Sequence, residues 1–201
     1  MAKCLMLDVD GVLIDGRPED AQRWDHTLYT DLGVAPEDLG RIFFARDWPD
    51  IIIGKADLKP ALADALIRLQ ASVTAQELID YWFAKDARIV VPVLSDVRAA
   101  RASGLPVYLA TNQEHLRADH LMTAMGLGAE VDGMIYSAAA GFRKPQPEFY
   151  SYARKVTGVE PHEMLLVDDT PANVEGALAA GWDAILWDES AQLSEILQNR
   201  A

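Results

Sequence analysis

Two carboxylates near the N-terminus are the residues of this chain best suited to carry chemistry. Asp8 and Asp10 follow the apolar run Cys4-Leu5-Met6-Leu7, and Gly11 then permits a sharp turn of the backbone. Such a run indicates a short strand buried in a parallel sheet, and ligands bind at the carboxyl edge of sheets of this kind. Carboxylates buried there need a cation, a proton or hydrogen-bond donors, because an isolated buried charge is costly. The ordinary alternative is a solvated Asp-x-Asp-Gly turn.

Three more polar clusters follow or precede predicted elements later in the chain. Thr111 and Asn112 come directly after one apolar run, and Asp168 and Asp169 come directly after another. Lys144 lies in a cationic stretch just before a predicted helix. Each cluster alone has an ordinary explanation, as a helix N-cap, as acids that complement a helix dipole, or as an exposed loop lysine. Together they predict four acids, a hydroxyl and an ammonium at one edge of a sheet.

The predicted strands and helices that must position these side chains indicate an α/β fold. Apolar runs alternate with helical patterns, which predicts a three-layer, Rossmann-like, parallel five-stranded sheet with right-handed crossovers. The predicted strands are residues 4–7, 106–110, 133–137, 164–167 and 184–187. The predicted helices between them are residues 92–103, 114–125, 148–156 and 171–180, followed by a short last helix capped by Ser190.

A helical insertion separates the first strand from the rest of the sheet. Its apolar residues recur at helical spacing and predict four helices, the first ending at Gly33 and the last beginning after the capping box Thr74-Ala-Gln-Glu77. The one apolar run there that could be extended instead is Ile51-Ile52-Ile53, before Gly54. We therefore expect residues 1–16 and 89–201 to form the α/β core domain, and residues 17–88 to form an inserted four-helix cap domain.

Composition limits the classes of partner. The 201 residues are 50% hydrophobic and 24% charged, which is typical of a soluble globular protein. A net charge of −13 argues against nucleic acid or an anionic membrane as partner, and it requires local cations or a metal for any anionic substrate. The single cysteine, Cys4, predicts no internal disulfide and fits a reducing compartment. Without an apolar run long enough for a span or a signal-peptide pattern, the expected location is cytoplasmic.

Taken together, the four clusters resemble the motifs of the haloacid dehalogenase-like (HAD) superfamily, and the resemblance extends over the whole chain. Asp8-Val9-Asp10-Gly11-Val12 is similar to the first motif, although Val12 stands where Thr is more usual. Thr111-Asn112, Lys144-Pro145 and Asp168-Asp169 are similar to the second, third and fourth motifs. The insertion resembles the helical C1-type cap of the family. The most similar subgroup is that of small phosphatases acting on phosphoglycolate and sugar phosphates.

The resemblance implies a Mg²⁺-dependent phosphatase that hydrolyses a small phosphomonoester through an aspartyl-phosphate. It makes Asp8 the nucleophile and Asp10 the acid that protonates the leaving group and then activates water. The implied magnesium ligands are the Asp8 carboxylate, the Asp10 backbone carbonyl and Asp169, with Asp168 direct or through water. Thr111, Asn112 and Lys144 are implied to bind the phosphoryl group, with Lys144 also holding Asp8. Asn173 is expected to orient Asp169.

Three other functions share parts of this pattern. A phosphomutase of the β-phosphoglucomutase type keeps all four motifs, so the catalytic residues alone do not exclude it. A haloacid dehalogenase needs neither a metal nor a second acid at the position of Asp10. A receiver-like binding protein that is phosphorylated on Asp lacks a helical cap, and its phosphorylated Asp lies on an interior strand rather than the first.

The sequence leaves the leaving group, the pathway and the oligomeric state open. All the motif residues address the phosphoryl group, so we expect the cap to provide specificity. By resemblance, the cap loop at residues 46–55 closes over the site, where Arg46 or Lys55 would meet a polar or anionic group of the substrate. The ordinary alternative is that both cations are solvated.

Overall fold

A five-stranded, all-parallel sheet lies at the centre of the computed structural model, which describes residues 3–188 and 190–199. The strands are β1 (Cys4–Leu7), β2 (Val107–Thr111), β3 (Gly133–Tyr136), β4 (Met164–Asp168) and β5 (Asp183–Leu186). They lie in the order β3-β2-β1-β4-β5, so β1 is central, with Leu7 paired to Leu109 of β2 and Val167 of β4. The α/β fold with a parallel five-stranded sheet is thus confirmed, and every strand end lies within one residue of its predicted position.

The helices follow the predicted alternation in the second half of the chain. Those of the insertion are α1 (Leu28–Leu32), α2 (Pro36–Leu39), α3 (Trp48–Ile51), α4 (Leu58–Arg68) and α5 (Ala75–Lys85). Those around the sheet are α6 (Val91–Ala102), α7 (His115–Met122), α8 (Ser137–Ala140), α9 (Pro147–Thr157), α10 (Pro171–Ala179) and α11 (Leu193–Gln198). Short 3-10 turns at Leu127–Ala129 and Pro161–Glu163 precede β3 and β4. No helix among the described residues is both long enough and apolar enough to cross a bilayer.

Alternate residues of the strands pack into two different cores. Leu5 and Leu7 of β1 face one core, which residues of α6, α7 and α11 complete, whereas Cys4 and Met6 face the other, which residues of α9 and α10 complete. Because successive side chains of a strand point to opposite faces, these two cores make three layers. Cys4 is buried, and burial raises the pKa of its thiol to about 12, so it is an inert packing residue at neutral pH.

The insertion has an apolar core of its own. Buried residues between Leu28 and Phe83 form a cluster separate from the two cores of the sheet. Residues 17–88, all of which the structure describes, contain five α-helices rather than four. The additional one is α3, which shows that the run at Ile51 begins as helix and not as an extended segment. The second predicted helix is α2 continued by a π-helical turn over Gly40–Phe44.

Two details outside the insertion differ from the sequence-based expectations. Ser190 does not cap the last helix, because its backbone N–H is bound by the Asp188 carboxylate in a turn and α11 begins only at Leu193. The N–H of Ser194, in the first turn of α11, is instead bound by the Asp96 carboxylate of α6 at 2.9 Å. A distant side chain thus replaces the local cap. The other difference is α8, a single helical turn that begins directly after β3.

Candidate active site

Three neighbouring strands bring the predicted acids and the threonine together. Asp8 follows β1, Thr111 ends β2 and Asp168 ends β4, and these three strands are adjacent in the sheet. After β1 the chain turns at Gly11, which has a φ of +76°. A Cβ at this position would lie 2.2 Å from the Asp169 carboxylate, so only glycine allows the loop after β1 to approach the loop after β4 this closely.

Lys144 is the cation at the centre of the site. Its buried Nζ lies 3.0 Å from Asp8 Oδ1 and donates to Asp168 Oδ2 at 2.5 Å and to the Ala110 carbonyl at 2.6 Å. The Asn112 side chain fixes this position, since it accepts from the Lys144 N–H at 2.8 Å and donates to the Lys144 carbonyl at 3.1 Å. Burial alone would lower the pKa of Lys144, but the two carboxylates raise it above its usual value. The side chain is therefore cationic.

One lysine does not neutralise all the acids at this edge of the sheet. Burial raises the pKa of Asp8 to about 7, against the opposing effect of Lys144 and with a further increase from Asp168. Burial also raises the pKa of Asp169. Oxygen atoms of Asp8, Asp168 and Asp169 lie within 4.8 Å of one another. Three carboxylates so close together are a donor set that fits a hard divalent cation such as Mg²⁺.

Asp168 is held more tightly than the other two acids. It accepts from Lys144, from the Thr170 N–H at 2.9 Å and from Asn173 Nδ2 at 3.0 and 3.2 Å. Asn173 thus orients Asp168 and not Asp169, because Asp169 is exposed and accepts a hydrogen bond from the Thr170 hydroxyl instead. Because these donors already bind both of its oxygens, Asp168 is better suited to hold Lys144 or a water molecule than to bind a metal ion directly.

Thr111 presents a hydroxyl that has no protein partner. Its Oγ1 is buried and accepts or donates no hydrogen bond to the residues that the structure describes. A buried polar atom without a hydrogen-bond partner destabilises the fold unless a ligand or a water molecule forms a hydrogen bond with it. Thr111 lines an open crevice of about 300 Å³. The other lining residues are Asp8, Asp10, Gly11, Asn112, Asp169, Thr170 and Asn173.

Asp10 lies in the same crevice, and its carboxylate is bound by Gln113. Gln113 Nε2 donates to Asp10 Oδ2 at 2.6 Å. Asp10 lies at the solvent-accessible mouth of the crevice, where the surrounding protein still excludes much of the bulk water and raises its pKa to about 6. The Asp86 carboxylate contributes to this rise, and Arg117 opposes it. An acid with a pKa this near neutrality is suited to donate and accept a proton.

The cap loop contacts the core beside this acid, but it does not bring its cations into the crevice. The Ile52 carbonyl accepts a hydrogen bond from the buried Ser137 hydroxyl at 2.5 Å, and Gly54 lies against the Ala138 backbone. Arg46 and Lys55 are exposed, and neither is among the residues that line the crevice. Their contribution to specificity stays a prediction.

The interpretation of the sequence missed Gln113, Asp86 and Arg117. Gln113 directly follows the Thr111-Asn112 motif, so its place at the sheet edge was predictable, but an amide has no reactivity that marks it as functional. The pair formed by Arg117 and Asp86 joins α7 to the end of α5 and is visible only once the chain is folded: the buried guanidinium binds the Asp86 carbonyl and lies 3.5 Å from its carboxylate.

Known proteins share this sequence pattern and this fold. A family model described as haloacid dehalogenase-like hydrolase matches residues 2–181. The phosphoglycolate phosphatase of Pseudomonas putida is 26% identical over 90% of this chain and 67% of its own length. The fructose-1-phosphate phosphatase YqaB of Escherichia coli is 25% identical over 90% of this chain and 94% of its own length. A HAD family enzyme from Bacteroides thetaiotaomicron, solved with magnesium and inorganic phosphate, superposes with a TM-score of 0.75 at 18% identity, covering 98% of this chain and 99% of that one.

Proposed function

Since this chain belongs to the haloacid dehalogenase-like hydrolases, we propose that it is a Mg²⁺-dependent phosphatase acting on a small phosphomonoester through an aspartyl-phosphate. The observation that carries the proposal is the position of Asp8: its carboxylate lies 3.0 Å from Lys144 and shares the crevice with the unpartnered Thr111 hydroxyl. The proposed nucleophile and a phosphate-binding donor thus line one crevice, and the neutralising cation lies buried directly against the nucleophile. Relatives that are phosphatases of phosphoglycolate and fructose 1-phosphate support the substrate class.

In the first step, an Asp8 carboxylate oxygen attacks phosphorus while the bond from phosphorus to the ester oxygen breaks. Asp10 donates its proton to the departing alkoxide, which leaves as the alcohol. Splitting one difficult displacement into two easier ones is the gain from a covalent intermediate. In the second step, Asp10 removes a proton from a water molecule, the water oxygen bonds to phosphorus, and the bond between Asp8 and phosphorus breaks. Inorganic phosphate and free Asp8 result.

Binding of the phosphoryl group falls to residues of the second and third motifs. The Thr111 hydroxyl and the Asn112 backbone donate to its oxygens, and the Lys144 ammonium neutralises part of its charge. Lys144 also favours the ionised form of Asp8, because it opposes the effect of burial on the pKa of that carboxyl. The open crevice of about 300 Å³, which Thr111 and Asn112 line, is large enough for a phosphoryl group.

The residues that would hold Mg²⁺ are the Asp8 and Asp169 carboxylates and the Asp10 backbone carbonyl, with Asp168 through its hydrogen-bonded oxygens or a water. When bound, the ion supplies positive charge that offsets the repulsion between an anionic nucleophile and an anionic ester. The neighbouring enzyme solved with magnesium and phosphate supports this assignment for the fold. The three carboxylates of this chain support it independently, because without a cation they repel one another.

Residues 17–88 are proposed to be the cap domain that selects the alcohol part of the substrate, with residues 1–16 and 89–201 as the core. The separate apolar cluster within the insertion supports this division. Arg46 and Lys55 are proposed as specificity residues because they are exposed on either side of α3, next to the segment that contacts the core.

The proposal is tested with a panel of phosphomonoesters that includes phosphoglycolate, fructose 1-phosphate and p-nitrophenyl phosphate, assayed for phosphate release with Mg²⁺ and with chelator. We expect hydrolysis that chelator abolishes and Mg²⁺ restores. Asp8→Asn should retain less than about 1% of the turnover, since it removes the nucleophile. The matched control is Asp38→Asn, which removes an exposed carboxylate paired with Arg41 on the cap surface. Full activity in chelator, or an active Asp8→Asn protein with deamidation excluded, would contradict the mechanism.

A further inference from the structure

We propose that Gln113 is a positioning residue that holds Asp10 in the orientation needed to protonate the leaving group. The inference rests on the proposed phosphatase function and concerns only the half-reaction in which the alcohol departs. Its starting point is the hydrogen bond from Gln113 Nε2 to Asp10 Oδ2 at 2.6 Å, which joins the loop after β2 to the loop after β1.

Gln113 is itself held rigidly. Its side chain is buried, and its backbone carbonyl accepts from the Ala138 N–H and from the Ser137 hydroxyl, both at 3.1 Å. Ser137 is fully buried at the start of α8. The backbone of Gln113 is thus anchored to the residues that follow β3, and its buried side chain reaches Asp10 from that fixed point, which is the arrangement required of a residue that orients another.

Asp10 lacks a comparable anchor elsewhere. Within the described part of the chain, the bond from Gln113 is the only hydrogen bond that the Asp10 carboxylate makes. Asp86 and Arg117 affect it only through their charges, and these have opposite effects. Loss of the amide would therefore leave the carboxyl free to rotate at the mouth of the crevice, where solvent reaches it.

The bond occupies Oδ2 and leaves Oδ1 of Asp10 for the transferred proton. Proton transfer needs the acid within hydrogen-bond distance of the ester oxygen, so a freely rotating carboxyl protonates the alkoxide less often. This predicts a loss that depends on the leaving group. An ester of a weakly acidic alcohol needs the proton, whereas p-nitrophenolate departs as a stable anion and does not.

The test compares wild type and Gln113→Met on phenyl phosphate and p-nitrophenyl phosphate, using kcat/KM because it covers only the steps up to departure of the alcohol. A positioned acid contributes about 10²–10⁴-fold, so we expect a loss of about tenfold or more on phenyl phosphate and of less than about threefold on p-nitrophenyl phosphate. In the double variant Asp10→Asn/Gln113→Met, the loss on phenyl phosphate should equal that of Asp10→Asn alone, because the amide acts through Asp10.

Gln76→Met is the matched control, since Gln76 Nε2 makes the same kind of bond to Asp80 at 2.8 Å on the cap surface. It should alter neither substrate's kinetics. Circular dichroism and thermal melting check the fold; if Gln113→Met does not fold, Gln113→Ala removes the donor without adding a charge and should show the same selectivity. Equal losses on both esters, or additive losses in the double variant, would overturn the inference while leaving the phosphatase intact. A wild type inactive on every ester of the panel would overturn both.

Discussion

At the scale of one residue, the buried Thr111 hydroxyl lowers the stability of the fold, and it is proposed to bind the substrate. The hydroxyl is buried against the sheet without a partner among the described residues, whereas its neighbours Asn112 and Lys144 bind each other. A buried donor without an acceptor is destabilising by about 1–3 kcal/mol. We attribute the retention of this hydroxyl to the phosphoryl oxygen that it would bind.

Replacing this hydroxyl by a methyl group should therefore separate stability from function. We expect Thr111→Val to raise the free energy of unfolding by roughly 1 kcal/mol, because the shape is kept and the unpaired donor is lost. It should also raise KM for the ester and weaken inhibition by inorganic phosphate by about tenfold, as one charge-assisted hydrogen bond disappears. Chemical denaturation and phosphate inhibition measure the two effects.

The matched control is Thr157→Val at the end of α9. Its hydroxyl does have partners, donating to the Ala153 carbonyl at 2.9 Å and accepting from the Val159 N–H at 3.3 Å. This variant should lose stability and keep its kinetics. A Thr111→Val protein that is less stable than wild type would show that the hydroxyl has a structural partner after all.

At the scale of elements, the loop after α3 is one of the parts of the cap that contact the core, beside the pair formed by Asp86 and Arg117. Gly54 has a φ of +72°, and a Cβ there would lie 2.5 Å from the Ala138 carbonyl oxygen at α8. Gly33, which ends α1, has a φ of +70°, but a Cβ on it would have no neighbouring atom within 4 Å among the described residues. The two glycines thus differ in contact and not in backbone conformation.

Alanine at these two positions should accordingly have different effects. Gly33→Ala is expected to cost about 1–2 kcal/mol of stability through its left-handed backbone alone. Gly54→Ala adds a clash with the backbone of α8, which we expect to cost roughly 1–3 kcal/mol more and to displace the loop from the core. Denaturation midpoints compare the two variants, and limited proteolysis at residues 46–55 reports the displacement. Equal losses from both substitutions would argue that the loop does not rest on α8.

The segment at residues 46–55, which includes this loop, carries the two proposed specificity residues. Arg46→Ala or Lys55→Ala should lower kcat/KM for the best substrate of the panel by about tenfold or more, as expected for loss of an ionic contact to substrate. Hydrolysis of p-nitrophenyl phosphate should change much less, because its aryl group offers no hydroxyl or carboxylate for these cations. Lys59→Ala, which removes an exposed cap lysine bonded to Gln76, is the control. Unchanged kinetics on both esters would remove this loop from substrate recognition.

Elements of the sheet were largely predictable from the sequence, and the connections between them were less so. Each strand is an apolar run between turn residues, so β1 and β4 could be identified from composition alone. The helix over Ala75–Lys85 was predictable because its capping box is local. Ser190 was misassigned because the N–H of Ser194 at the start of α11 is bound by Asp96 of α6, which no local pattern reveals. The motif acids were predictable from type and order, whereas the partner of Asn173 depends on the geometry of the turn between β4 and α10.

At the scale of the whole molecule, the net charge of −13 repels the anionic substrate that we propose. Most of the cationic side chains whose partners the structure describes form ion pairs with carboxylates on the surface. Examples are Arg98 with Glu130 and Arg154 with Glu160. Lys144 is the cation buried among the motif residues, and three acids lie around it. The balance of charge in the crevice therefore depends on the bound divalent ion, and so should the stability of the fold.

Mg²⁺ should raise the melting temperature of the wild-type protein. A ligand at 100 times its dissociation constant stabilises the folded state by about 2.7 kcal/mol if it binds only that state. Asp169→Asn should remove most of this increase, because it removes an open carboxylate from the set of three. Differential scanning fluorimetry with and without chelator measures it, with Ca²⁺-free buffer and Asp38→Asn as control. A wild-type melting temperature that is indifferent to Mg²⁺ at millimolar concentration would contradict the assigned ion site.

The Ser137 hydroxyl has one hydrogen to donate, but two carbonyl oxygens lie within reach of it. The Ile52 oxygen on the cap loop is 2.5 Å away, and the Gln113 oxygen on the core is 3.1 Å away. If the loop lifts away, a rotation about one bond transfers the hydrogen to Gln113, while the Ile52 oxygen moves out to water. No buried group is stranded at any point of that movement. Parting of the loop from the core would therefore exchange one hydrogen bond of Ser137 for another, so the hydrogen bonds at this joint would add little to the free energy needed to open it.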